Sequence, residues 1–115
     1  MKIKRVYEKF DKDDGYRILV DRLWPRGVSK EKAKIDLWLK EVAPSNELRK
    51  WFSHDPFKWL DFKKKYFKEL DSEKGAVVNL KKIVVGKKDV TLLFSAKDVK
   101  HNNAVALFDY LNALD

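Results

Sequence analysis

Cysteine is absent from these 115 residues, which removes disulfides, thiolate nucleophiles and cysteine-ligated zinc or iron–sulfur sites together. Four glycines leave little material for a phosphate-cradling loop, and neither G-x-G-x-x-G nor a P-loop occurs. Histidine is as scarce: His54 and His101 are the two, with no His-x-x-x-His pair, so no metal site and no cofactor are expected. Ser95 has no G-x-S-x-G turn around it, which argues against a serine triad. No stretch of about 18 apolar residues is present, so no membrane partner is expected. The opening MKIKRVYEKFDKDDG carries charge with no apolar segment behind it, unlike a secretory signal. A cytoplasmic location is the resulting expectation.

The length suits one domain, residues 1–115, and 44% hydrophobic with 13% aromatic residues is a composition that can build a core. The formal net charge is +8. Residues 1–56 hold 14 basic and 10 acidic side chains and residues 57–115 hold 12 and 8, so each half carries +4 and there is no basic arm. Such evenly spread charge attracts polyanions weakly whatever the protein does. Arginine is distributed differently: Arg5, Arg17, Arg22, Arg26 and Arg49 are the five, and none lies beyond residue 49. A planar, forked donor suits carboxylate or phosphate recognition and stacking on tryptophan, but it also suits internal ion pairs.

Lys2 to Tyr7 alternates as a strand does, and Asp11 to Gly15 is a polar break. Tyr16 to Leu23 has the apolar centre of a strand buried on both faces, halted at Trp24-Pro25-Arg26-Gly27. Ser29 suits the N-cap of a short helix to about Lys34. Ile35 to Val42 alternates as a third strand, and Ser45 suits the cap of a helix to about Phe52. Asp55 with Pro56 opens a helix to about Leu70 with Trp59, Leu60, Phe67 and Leu70 near one face. Residues 76–85 form a further helix, Val90 to Phe94 a last buried strand, and His101 to Leu114 an amphipathic helix. Strands alternating with helices predict an α/β fold: about four strands in a small, mostly parallel or mixed sheet covered by helices. The connector between the first two strands is short for a crossover, which leaves that pair's direction open.

Ligands of parallel sheets bind beyond the carboxyl ends of the strands, and two such ends here are polar. Asp21-Arg22-Leu23-Trp24-Pro25-Arg26 reads as an anion or aromatic cradle, with Arg22 and Arg26 as donors and Trp24 as a wall; a structural Asp21–Arg pair beside a core Trp24 is the other reading. Ser95 to Asn103 leads into the last helix, whose amino end favours anions. His101 there is a candidate proton donor or acceptor, unless Asp98 caps the turn and His101 or Asn102 caps the helix.

The blocks GYRILVDRLWPRG, DLWLKEVAPS, Glu47 to Phe52 with His54-Asp55-Pro56, and VTLLFSAKD followed by HNNAVAL together resemble the YeaO-like branch of the family called domain of unknown function 488. The resemblance covers almost the whole chain. It implies a soluble α/β domain and no assigned reaction. Relatives in other branches carry cysteine near the last strand and the following helix, where this chain has Ser95 and His101-Asn102, so a thiol mechanism does not carry over.

The leading expectation is a small-molecule enzyme or ligand-binding domain for an anionic, phosphate- or carboxylate-bearing ligand. Arg22 and Arg26 bind the anion in that reading, with Trp24, Trp38 and Asn102 around it. His101 or His54 moves a proton, and Asp21 orients a neighbour. The alternative is a non-catalytic nucleic-acid-associated module using lysine faces and exposed tryptophan.

Overall fold

The computed structural model describes residues 1–114. Among them four strands, β1 (Lys2–Arg5), β2 (Tyr16–Leu19), β3 (Leu37–Trp38) and β4 (Val90–Phe94), form one sheet in the order β1-β4-β2-β3, and every pairing is parallel. The last strand therefore lies between the first two. Composition explains its place: all five residues of VTLLF are buried, whereas β1, Lys-Ile-Lys-Arg, carries three basic side chains and suits an edge. With β4 between them, β1 and β2 never pair, so the short connector spans two strand spacings and forms no hairpin.

Period-2 alternation divides the core between the two faces of the sheet. Ile18, Val20, Leu92 and Phe94 join residues of α2 (Asn46–Phe52), α3 (Trp59–Ser72), α4 (Lys74–Gly86) and α5 (Asn103–Ala113). Leu19 and Leu93 point the other way, into a smaller cluster with Val6, Ile35, Trp24 and Trp38, beside α1 (Lys30–Ala33). Within α3 the buried residues are Phe62, Tyr66 and Leu70, four apart, and the Tyr66 hydroxyl donates to the Val42 carbonyl. Leu60, expected on that face, is exposed.

Helix starts follow the expected chemistry. Ser29 Oγ accepts from Lys32 N and Ser45 Oγ from Leu48 N, and Asp55 accepts from Phe57 N at a 3-10 turn that precedes α3. Ser45 is further held by Glu69 of α3, whose carboxylate accepts from its backbone N at 2.8 Å and its hydroxyl at 2.6 Å. The third strand is shorter than its alternation predicts. Leu39 N still donates to Leu19 O, but a 3-10 turn over Lys40–Val42 follows at once, because an edge strand with a single neighbour has little to hold it extended.

Candidate functional site: an arginine-lined cleft

Beyond the carboxyl ends of the parallel strands lies a cleft of about 810 Å³. Each wall is a segment that leaves or faces the sheet there: the end of β1, the 21–26 loop after β2, α2 with His54, and residues 95–98 and 102–103 after β4. Arg5, Arg22, Arg26 and Arg49 all line it. The fifth arginine, Arg17, lies elsewhere, with its guanidinium buried against Asp14 at 2.5 Å. Arg17 thus makes an internal ion pair, whereas the other four guanidiniums line one cleft.

Asp21 ties the cleft together. Its Oδ2 accepts from Ser95 N (2.9 Å) and Ser95 Oγ (2.7 Å), and its Oδ1 accepts from Asn103 Nδ2 (3.0 Å), joining the ends of β2 and β4 to the start of α5. Burial raises its pKa above the usual 3.8, outweighing the hydrogen bonds from Ser95 and Asn103 and the Arg49 charge that oppose it. A raised carboxyl pKa means that the folded state holds this proton longer than the unfolded chain does. The Asp21 contribution to stability therefore falls as pH rises from the unfolded value toward the raised folded one. Urea unfolding of the wild type and Asp21→Asn between about pH 3 and 6 should show the wild type losing ground to the variant as pH increases; a difference that grows in the wild type's favour contradicts this.

The arginines are held at different depths. Arg22 donates through Nε to Pro44 O (2.9 Å) and through Nη2 to Ala43 O (3.1 Å). Arg5 donates through Nε to Ala96 O (2.9 Å), its guanidinium 4.7 Å over the Tyr7 ring, and Tyr7 in turn donates to Arg26 O. Arg49 Nη2 reaches Asn46 at 3.2 Å, but Arg49 Nε is buried with no hydrogen-bond partner among the described residues. An orphaned buried donor is costly, by about 1–3 kcal/mol and more when charged.

The other expected residues fare unevenly. Trp24 lines the cleft, but its Nε1 donates to Val28 O and its ring packs edge-on against Trp38 at 5.3 Å. Trp38 is not a wall of the cleft: it donates to the Asp21 carbonyl from within the smaller core. His54 reaches the cleft from a left-handed backbone (φ 56°). His101 does not; its Nδ1 lies 2.9 Å from Asp98 and its ring stands edge-on to Trp59. The His101 hydrogen bond, followed by that of the Lys100 backbone, holds Asp98 below the ordinary carboxylate value. Asn102 lines the cleft with its side chain committed elsewhere: Oδ1 caps α5 at Val105 N and Nδ2 donates to Asp98 O. The capping readings of Asp98 and Asn102 therefore hold. Among the described residues no group of three or more His, Asp or Glu side chains gathers as a metal site, and no helix is long and apolar enough to cross a membrane. Arg5, Arg49 and Asn103 were not singled out from sequence. The arginine bias pointed toward the first two, and Arg5, at the end of β1, also obeys the strand-end rule.

Parallel strands and a guanidinium-rich hollow at their carboxyl ends define the class: a small α/β domain with a basic cleft. The sequence model described as "Inactive DUF488-N3 subclade" matches residues 1–114, and the chain belongs to that family. It is 44% identical over 111 residues to uncharacterized protein YeaO of Escherichia coli, covering 96% of each chain. It is 39% identical over 112 residues to uncharacterized protein Rv3073c of Mycobacterium tuberculosis, covering 97% of this chain and 93% of that one. No solved structure matches it.

Proposed function

We propose that this domain binds a small anionic ligand in the arginine-lined cleft, and that binding rather than turnover is its task. One observation carries the reading: four of five arginines line the cleft, against Lys97 alone of 21 lysines. Generic surface charge would not sort the two residue types in this way, whereas bidentate recognition of an oxyanion favours the forked donor. Arg49 lines the cleft and its guanidinium makes one hydrogen bond among the described residues, to Asn46, which leaves donor capacity for a ligand. Against turnover, the Asp21 carboxylate is already engaged by Ser95 and Asn103, and His101 faces Trp59 instead of the cleft. The family's description as inactive points the same way.

The test is calorimetry and thermal shift at physiological salt with inorganic phosphate, small carboxylates and a short oligonucleotide, on the wild type and Arg49→Met. At 100 times its dissociation constant an anion should stabilise the wild type by about 2.7 kcal/mol, and Arg49→Met should weaken binding about tenfold or more. Binding that Arg49→Met leaves unchanged overturns the proposal. So does binding of the oligonucleotide alone that fades steeply with salt, which favours the nucleic-acid module instead.

A further inference from the structure

We infer that the ligand is a phosphate monoester bearing an apolar or aromatic body; this rests on the anion-binding reading above. The charge balance of the cleft points to a dianion. Arg5, Arg22, Arg26, Arg49 and Lys97 face only two carboxylates, Asp21 and Asp98. Both carboxylates are engaged locally, Asp21 by Ser95 and Asn103, Asp98 by His101 and the Lys100 backbone N. A surplus of three positive charges therefore remains. A carboxylate ligand would neutralise one of them, whereas a phosphate monoester, with a second pKa near 6, neutralises close to two at neutral pH.

Donor geometry agrees. A guanidinium has five N–H donors; the backbone bonds of Arg22 occupy Nε and Nη2, and those of Arg5 occupy Nε alone. Several guanidiniums entering from separate segments suit the three terminal oxygens of a tetrahedral head better than the two coplanar oxygens of a carboxylate.

Size and lining call for a body as well as a head. About 810 Å³ lies within the range of sites for drug-sized molecules, far above what a bare ion fills. The mouth carries Leu23, 54% exposed, and Tyr7, 45% exposed, while Phe52 and Phe62 form buried parts of the lining. Exposed apolar side chains beside a guanidinium cluster gain from covering by an apolar group, and Tyr7 is held in place by Arg5 over its ring and by its bond to the Arg26 carbonyl.

The test is calorimetry on the full chain at physiological salt with phenyl phosphate, inorganic phosphate and benzoate as probes. Phenyl phosphate should bind about tenfold or more tightly than either of the others. Leu23→Ser, at an exposed position, should weaken phenyl phosphate several-fold and leave inorganic phosphate unchanged. Arg26→Ala, also exposed, should weaken both phosphates more than it weakens benzoate. Benzoate binding as tightly as phenyl phosphate overturns the dianion, and inorganic phosphate doing so overturns the body; either result leaves the anion-binding reading intact. Silence from all three probes, with the wild type folded by circular dichroism, overturns both readings.

Discussion

Asp14→Ala should destabilise the protein by about 3–5 kcal/mol, the range for removing one partner of a buried ion pair. Asp14 is 2% exposed and Arg17 1%. Besides Arg17, the Asp14 carboxylate accepts from Lys4 Nζ at 3.0 Å and from the Asp11 backbone N at 3.1 Å. The guanidinium of Arg17 also donates to the Ala33 and Lys34 carbonyls at the end of α1. The cluster thus joins β1, β2 and α1 at the end of the sheet opposite the cleft. With alanine at 14, Arg17 would keep its charge in the interior facing the Ala33 and Lys34 carbonyls and the Phe10 ring, with no carboxylate. For a domain of this size each kcal/mol moves the midpoint by about 4 °C, so thermal unfolding should begin about 12–20 °C lower. Lys4→Met, which removes a more exposed partner, should cost less than about 1 kcal/mol. A loss below about 1 kcal/mol for Asp14→Ala as well would show that the pair is not holding these elements together. Acid behaviour gives a second check. Burial alone would raise the Asp14 pKa, but the hydrogen bonds from Lys4, Asp11 and Arg17 outweigh it and lower it below 3.8. This contribution is present above the unfolded value and is lost as pH falls through the folded one, so the wild type and Asp14→Ala should converge in stability in strong acid.

Gly15→Ala is expected to be comparably damaging for a backbone reason. Gly15 has φ +68° and ψ −134°, a region that residues with a Cβ avoid. An added Cβ would stand 2.3 Å from the Asp89 carbonyl oxygen and 2.5 Å from Asp89 Cβ. Neither can retreat freely. The Asp89 carbonyl accepts from Tyr16 N at 2.9 Å, and Thr91 Oγ1 donates to the Asp14 carbonyl at 2.7 Å, so the contact opens the β2–β4 pairing. Backbone strain of about 1–3 kcal/mol and overpacking of about 1–3 kcal/mol together predict a loss of about 2–6 kcal/mol in urea unfolding. Gly75→Ala serves as the control. It lies in α4 with open space around the new methyl and should gain about 0.5–1 kcal/mol from helix propensity and a less flexible unfolded chain. If the two variants behave alike, the close approach at Asp89 is not what requires glycine at 15.

The comparison of these sites with the cleft shows which signals the sequence carried. Ser29, Ser45 and Asp55 announce their helices because a cap acts within three residues of itself. Val90 to Phe94 reads as an interior strand because four of its five side chains are apolar and the fifth is the small β-branched Thr91, and it takes a central place in the sheet. The strand ends at Asp21 and Ser95 were legible as polar breaks after apolar runs, and in a parallel sheet such ends share one edge. That much sufficed to point to the cleft and to name Asp21, Arg22, Trp24, Arg26 and Asn102 among its lining, whereas only the structure brings His54 there.

The partners of those residues were not legible. Arg17 and Arg22 sit in the same apolar strand pattern five residues apart, yet one is buried against Asp14 and the other lines the cleft while bonding to the Pro44 carbonyl. Trp38 was expected to face a ligand and instead packs on Trp24; His101 was expected to move protons and instead pairs with Asp98 beside Trp59. By itself the sequence determined the α/β class with a mostly parallel or mixed sheet, the helix caps and the polar strand ends, because periodicity, capping and turn chemistry act over a few residues. Only the tertiary structure decided that β4 enters between β1 and β2, and that Arg5 and Arg49 meet Arg22 and Arg26 across the ends of those strands. Those meetings join residues up to 44 positions apart, and the strand order that brings them together leaves no mark on the residues beside them.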